Sequence, residues 1–282
     1  MIVFYTTTTQ HLAHTLPFEQ GKYISKQFTD GEWYIKLEHD VAGKTVWVVA
    51  ATNAPAEHLI ELLLLLDALQ RAHAQVKVLF TYFGYARQDQ PLNGEASSAQ
   101  VIARMFGLFD LKKIIILHPH SISLHDYVQF QAVFPDELIC THAQGYDAFA
   151  APDEGANELV HRLAAQCDKE AIFLKKVRPE QESVEILDYN GMVRAKNILI
   201  IDDMIATGNT IIEVAKKLKE LGATRVSVWA THGIFSGNAY EAIGKSCIEK
   251  VYVTDSLPQK KYSEKIEVVS IALLIEKIII KN

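Results

Sequence analysis

At 282 residues, 49% of them apolar and 22% charged, the chain has the composition of an ordinary globular protein and the length for two domains, each burying its own core. A formal charge of -6 argues against a general nucleic-acid binder, leaves room for a local anion pocket and points to a small partner.

The opening residues MIVFYTTTTQ lack a basic n-region followed by a long apolar stretch, so they do not read as a signal peptide. Ile2 to Tyr5 reads as a strand and Gln10 to Leu16 as a short helix. In FTDGEWYIKL, Phe28 to Leu37, the Asp30-Gly31 pair marks a turn, and Trp33, Ile35 and Leu37 alternate with Tyr34 and Lys36 as in one arm of a hairpin. Thr45 to Ala50 is an apolar strand. Thr52 to Ala74 reads as a helix apolar nearly all round, which predicts packing against a sheet on one side and another subunit on the other. Its run Leu62 to Leu66, between Glu61 and Asp67, is far shorter than the ~20 apolar residues a membrane-spanning helix needs. Val76 to Phe83 is a strand ending in a loop with Arg87, Gln88 and Asp89, where an Arg can meet phosphates or simply solvent. A helix at Ser97 to Gly107 follows. The strand Ile114 to Leu117 then delivers His118, Pro119 and His120, a weak metal signal because lone histidines are usually satisfied structurally.

No linker rich in Gly, Pro or Ser divides the chain, and the expected domains are 1–140 and 141–282. In the second half a strand ending in APDEG puts Asp153 and Glu154 at a strand-to-helix turn. Lys175, Lys176 and Arg178 precede Pro179 between two strands, as a basic hairpin loop or an ordinary solvated turn. The rest of the chain is organised around NILIIDDMIATGNT, Asn197 to Thr210. Ile198 to Ile201 has the continuous apolar character of a strand buried on both faces, with Asp202 and Asp203 at its carboxyl end. Thr207, Gly208, Asn209 and Thr210 then open an amphipathic helix. Its apolar face is Ile211, Val214, Ala215, Leu218 and Leu221, and Gly222 is a plausible C-cap. Free N–H groups, a glycine and two hydroxyls at a helix start suit a phosphate monoester. The two carboxylates suit the hydroxyls of an attached sugar, or Mg²⁺ through water. Strands at Val226 to Ala230, Lys250 to Thr254 and Ile266 to Ile271 precede a last helix, and the alternation of strands and helices implies parallel sheets. Cys140, Cys167 and Cys247 are odd in number, far apart and without a CxxC pair. They suggest neither a disulfide framework nor a zinc site, and a reducing, cytoplasmic compartment is expected.

The unit of strand, two acids, small residue, TG and hydroxyl resembles the phosphoribosyl-binding motif of type I phosphoribosyltransferases. Beyond it, FTDGE, TNAPAEHLIELLLLLDAL, YFGYARQD, APDEG, KKVRP, VEIL, IDDMIATGNT, ATHGIFSG, VTDSLP and IEVVSIALL follow, in order, the pattern of the ribose-phosphate pyrophosphokinase family over nearly the whole chain. The resemblance implies an α/β fold of two phosphoribosyltransferase-like domains, each a mostly parallel sheet flanked by helices. It implies an ATP side in 1–140 and a ribose 5-phosphate site in 141–282. It also implies a homo-oligomer whose ATP site lies at a subunit interface, with Mg²⁺ as cofactor and neither nucleic acid nor membrane as partner. By position, Phe28, Asp30 and Glu32 match the adenine loop, and Arg87, Gln88 and Asp89 match the ATP-contacting motif. Lys176 and Arg178 match the catalytic basic pair. Asp202 and Asp203 would hold the sugar hydroxyls, and Thr207, Gly208, Asn209 and Thr210 the 5-phosphate. His120, Asp153 and, with less support from the register, His118 would lie at the metal.

The sequence departs from the family pattern in four places. Ala206 stands where many members carry an acid, Gln90 where they carry a basic residue, and His118 where they carry an aspartate. PLNGEASSAQ only loosely resembles the family's regulatory loop. These departures favour a silent regulatory homologue as the alternative, with a phosphoribosyltransferase a more distant one, since that class ordinarily needs a single such domain.

Overall fold

The computed structural model describes residues 1–177 and 185–282, and only the backbone of 175–177 and 185–188. These residues cluster into two compact units, 1–134 with 256–258 and 271–282, and 135–255 with 259–270. A single cut near residue 140 does not separate them, because the C-terminal helix belongs to the first unit. Lys77 bonds to the Asn282 backbone oxygen and Lys113 to its side chain, which holds that helix there.

The first unit contains β1 (Ile2–Tyr5), β2 (Glu19–Gln20), β3 (Tyr23–Gln27), β4 (Trp33–Leu37), β5 (Thr45–Ala51), α1 (Glu57–Arg71), β6 (Gln75–Tyr82), α2 (Ser98–Phe106), β7 (Leu111–Leu117) and β8 (Gln131–Val133). Its six-stranded sheet has the order β2-β1-β5-β6-β7-β8, and every pairing is parallel. β3 and β4 form a separate antiparallel pair with Gln27 opposite Trp33. Val46, Val48, Val76, Val78 and Phe80 on the strands pack against Leu62, Leu65, Leu66 and Leu69 of α1. Parallel strands buried on both faces lose the polar alternation of a solvent-facing sheet, as these sequences do.

The second unit contains α3 (Asp136–His142), β9 (Ala148–Ala151), α4 (Asn157–Gln166), β10 (Glu170–Val177), β11 (Glu185–Asn190), β12 (Asn197–Ile205), α5 (Asn209–Glu220), β13 (Arg225–Gly233), α6 (Ala239–Lys245), β14 (Val251–Thr254) and β15 (Ile266–Val269); α7 (Ala272–Lys281) returns to the first unit. Its seven-stranded sheet runs β11-β10-β9-β12-β13-β14-β15, parallel except for the antiparallel edge pair β10–β11. One face is covered by Ile211, Val214, Ala215 and Leu218 of α5, the other by Val160 and Leu163 of α4 with Ile139 of α3.

Several sequence expectations need correction. Gln10 to Leu16 is not a helix beyond a single 3-10 turn at Gln10–Leu12. α1 starts at Glu57, after a loop over 53–56, and is not buried all round: Ile60 is 43% and Leu64 36% exposed. β12 does not stop before its acids. Its ladder to β13 continues, with Asp202 opposite Ala230 and Met204 opposite His232. The cysteines are not all free, because Cys140 of α3 and Cys167 after α4 form a disulfide with Cα atoms 5.3 Å apart. Packing of α3 on α4 brings them together, and a sequence separation of 27 carries no such signal. Cys247 is free and exposed. Among the described residues no helix is long and apolar enough to cross a membrane.

Candidate active site

In the second sheet the strand order turns at β9 and β12, since β10 lies on one side of β9 and β13 on the far side of β12. Such a switch point opens a crevice at the carboxyl ends of its two strands, where α/β sheets bind ligands. Ile200 lies opposite Ala150, so Asp153 beyond β9 and Asp202 and Asp203 near the end of β12 reach the same sheet edge.

Asp153 is the N-cap of the 3-10 turn Glu154–Ala156, its Oδ1 accepting from the Ala156 N–H at 3.3 Å. Asp202 and Asp203 are half-buried, and the Asp203 N–H donates to Asp202 Oδ1 at 2.9 Å. The Asp202 carboxyl is held well above the ordinary carboxylate range, first by burial, then by the Asp203 charge and side-chain hydrogen bond and by the Asp153 charge. Each of these carboxylates disfavours ionisation of its neighbour, and donors or a cation at the edge would relieve that repulsion. Because the donors are all carboxylate oxygens, the cluster suits sugar hydroxyls and a hard divalent cation of the Mg²⁺ type.

The turn after β12 presents the second element of the site. Gly208 is the N-cap of α5 at φ 83°, a left-handed backbone that glycine adopts without strain, and no side chain caps the helix. Thr207 and Asn209 are exposed and Thr210 is half-buried beside it. The first-turn N–H groups and the positive end of the helix dipole therefore face an edge that already carries hydroxyls, an arrangement that suits an anion. Gly222, with φ 94°, follows the last turn of α5 in the position expected of it.

Of the basic pair, Lys176 contributes its backbone to β10, opposite Ile186, while Arg178 lies outside the described residues.

The residues expected at ATP lie in the first unit, on two loops. Phe28 is 49% exposed at the tip of the β3–β4 hairpin, its ring edge-on to Tyr34 with centroids 5.8 Å apart, and Lys26 Nζ lies 5.7 Å from its centroid. The turn is closed by the Phe28 N–H donating to the Glu32 carbonyl at 2.8 Å and the Glu32 N–H donating to Asp30 Oδ1 at 3.1 Å, with both carboxylates exposed. Arg87 and Gln88 are exposed after β6, and Asp89 accepts from Ser123 Oγ at 3.3 Å. That loop leaves β6 through Gly84, where a Cβ would stand 2.3 Å from the Thr52 carbonyl oxygen, so no larger residue fits. His120 is exposed beyond β7. His118 is 3% exposed, holds a left-handed backbone at φ 43°, packs its ring edge-on against Phe134 and donates its backbone N–H to the Val133 carbonyl at 2.7 Å. Among the described residues no group of three or more His, Cys, Asp or Glu side chains is arranged to hold a metal by itself.

Sequence reasoning missed the polar cluster at the edge of the first sheet. Thr6, Thr8 and Thr9 are buried in the loop after β1, and Glu61 of α1 is fully buried beside it. The signal was present, since a glutamate four residues before Leu65 falls on the buried face of a leucine-rich helix.

A family model for the N-terminal domain of ribose phosphate pyrophosphokinase matches residues 3–108, and one for the phosphoribosyl synthetase-associated domain matches residues 151–281. The ribose-phosphate pyrophosphokinase of Chlorobaculum tepidum is 32% identical over 260 residues, covering 89% of this chain and 80% of the relative. That of Thermotoga maritima is 30% identical over 284 residues, covering 96% and 90%. Among solved structures, phosphoribosylpyrophosphate synthetase from Mycobacterium smegmatis superposes with a TM-score of 0.90 at 25% identity, covering 99% of this chain and 97% of that one.

Proposed function

We propose that this chain, which belongs to the ribose-phosphate pyrophosphokinase family, transfers the diphosphoryl group of ATP to the anomeric hydroxyl of ribose 5-phosphate, giving phosphoribosyl pyrophosphate and AMP. The observation that carries this reading is one sheet edge bearing both a carboxylate cluster, Asp153, Asp202 and Asp203, and the uncapped N-terminus of α5. One pentose phosphate presents the complementary groups, hydroxyls for the acids and a dianion for the helix.

In this reading Asp202 and Asp203 accept from the 2- and 3-hydroxyls. Thr207, Gly208, Asn209 and Thr210 hold the 5-phosphate, fixing the anomeric hydroxyl in place. Phe28 stacks on adenine, with Asp30 and Glu32 accepting from the base or its polar neighbours. The exposure of the hairpin tip supports its service to the ATP site of a neighbouring subunit in a homo-oligomer. Arg87, Gln88 and Asp89 meet the polyphosphate. The anomeric oxygen bonds to the β-phosphorus, the bond from that phosphorus to the αβ-bridging oxygen breaks, AMP leaves with that oxygen, and the hydroxyl proton is released. Lys176 and Arg178 neutralise charge on the transferring group. Mg²⁺, when bound, would supply Lewis-acid neutralisation of phosphate oxygens; in the second unit Asp153 would hold it or its water beside the sugar, and in the first unit His120 is the residue that would take a metal. Both substrates are intracellular metabolites, so the reading includes a cytoplasmic location.

A catalytically silent homologue is the second reading, favoured by a buried His118 at a position where the family carries an aspartate. The test is AMP formation from ATP. The proposed reaction requires both ribose 5-phosphate and Mg²⁺, and a protein that binds both substrates without forming AMP is the silent homologue.

A further inference from the structure

The order β2-β1-β5 gives the first sheet its own switch point, at the carboxyl ends of β1 and β5, where an open α/β sheet would ordinarily take a ligand. Protein groups occupy it here. Thr8 Oγ1 donates to the Ala51 carbonyl at 3.0 Å, and Thr9 Oγ1 to the Val49 carbonyl at 2.7 Å. Glu61 is 0% exposed and sits at the centre of the remaining donors. The Thr7 N–H donates to its Oε2 at 3.2 Å. Its Oε1 lies 2.9 Å from Thr7 Oγ1, 3.1 Å from Ser25 Oγ and 3.1 Å from the Tyr23 hydroxyl, which also lies 3.0 Å from the Tyr5 carbonyl. Among the described residues no Lys or Arg pairs with it.

A buried carboxylate is costly unless donors surround it, and a leucine at this position of α1 would be the cheaper way to fill the space. What the carboxylate adds is connection. Its four donor groups come from the loop after β1 and from β3, while Glu61 itself belongs to α1. Tyr23 and Ser25 are two apart on β3 and so point to one face, toward Glu61. The β3–β4 hairpin has no backbone pairing with the main sheet, and a lone two-stranded hairpin is marginal in water. It is attached through Tyr23, Ile35 and Leu37 against the core and through this carboxylate. The tip residue Phe28 follows Ser25 by three positions.

We propose that Glu61 is a positioning residue for ATP, clamping β3 to α1 and to the Thr7 loop so that Phe28 is held at a fixed place for the base. The inference rests on the reading of the hairpin as the adenine loop. A residue acting only through base binding should raise the KM for ATP while leaving kcat and the KM for ribose 5-phosphate within twofold. Glu61→Gln keeps one acceptor but turns an amide N–H₂ toward the Thr7 N–H. We expect it to raise the ATP KM about tenfold. Ser25→Ala removes one donor without touching the buried carboxylate, and about a threefold rise is expected; it decides the question should Glu61→Gln fail to fold. Equilibrium binding of α,β-methylene-ATP with Mg²⁺ should show the same weakening, independently of turnover. In a Phe28→Ala background neither change should weaken ATP further. If Phe28→Ala weakens ATP but Ser25→Ala and Glu61→Gln do not, the clamp is overturned and the hairpin reading stands. If Phe28→Ala leaves ATP binding unchanged, the hairpin reading falls and the clamp with it. If the effects of Glu61→Gln and Phe28→Ala multiply, Glu61 acts elsewhere and the inference is wrong.

Discussion

Asp202→Asn should make the protein more stable and less active at once. The substituted amide keeps the acceptor for the Asp203 N–H, which the wild type holds at 2.9 Å, and its N–H₂ can donate to the Asp203 carboxylate. The change therefore leaves no hydrogen bond unmade while removing a charge that burial, Asp203 and Asp153 all oppose. Relieving such a site typically returns about 1–2 kcal/mol, read as roughly 2–4 °C in Tm per kcal/mol for a chain approaching this size. The gain depends on pH with a definite sign. Because the folded-state pKa is raised, the native protein keeps a proton that the unfolded chain has lost. Wild-type stability thus falls as pH rises from the ordinary carboxylate pKa through the raised one, and the variant lacks that fall. The two proteins should converge at low pH and diverge toward neutrality. Catalysis moves the other way, since losing a charge-assisted hydrogen bond to a sugar hydroxyl costs about 1.5–3 kcal/mol, or roughly 10- to 150-fold in kcat/KM for ribose 5-phosphate. Thermal melts across pH, with steady-state kinetics on both proteins, test this. A variant that melts lower than wild type at pH 7.5, or retains its ribose 5-phosphate kinetics, refutes the reasoning.

Gly208→Ala meets only ordinary van der Waals contact, with Ile243 at 3.5 Å, so its cost is the φ of 83°, about 1–2 kcal/mol; it should also raise the KM for ribose 5-phosphate, and a normal KM would remove the turn from the phosphate site. His120→Ala should raise the Mg²⁺ requirement with little change in Tm. His118→Ala should chiefly lower Tm through lost packing, and the opposite pattern in a Mg²⁺ titration would reverse the roles of the two histidines. Lys176→Ala and Arg178→Ala should each lower kcat by about 10³-fold or more with unchanged melting, and near wild-type kcat in both would leave the mechanism without its main electrostatic contribution.

Much of this was legible in the sequence because local chemistry and tertiary demand agree. The apolar run from Ile198 and the helix opened after Gly208 each have one simple structural use, and the strand and the helix start both appear; the left-handed backbone of Gly208 itself is seen only in the structure. What was hidden depends on neighbours distant in sequence. β12 runs on through Asp202 because β13 offers partners up to Gly233. Cys140 meets Cys167 because α3 packs on α4. Helical spacing places Glu61 on the buried face of α1, but its partners at Thr7, Tyr23 and Ser25 converge from two other segments, and no periodicity within α1 reveals them. The exposure of Ile60 and Leu64 shows the converse limit, since an apolar helix does not specify what covers each side.

The central claim is that the chain moves two phosphoryl groups together onto the anomeric oxygen, and phosphorus NMR of the reaction mixture tests it most directly. ATP, ribose 5-phosphate and Mg²⁺ with the protein should yield AMP together with a sugar ester showing two mutually coupled diphosphate resonances, the 5-phosphate signal persisting beside them. Formation of ADP with a sugar bisphosphate, or of no new phosphorus resonance while both substrates bind, would contradict it.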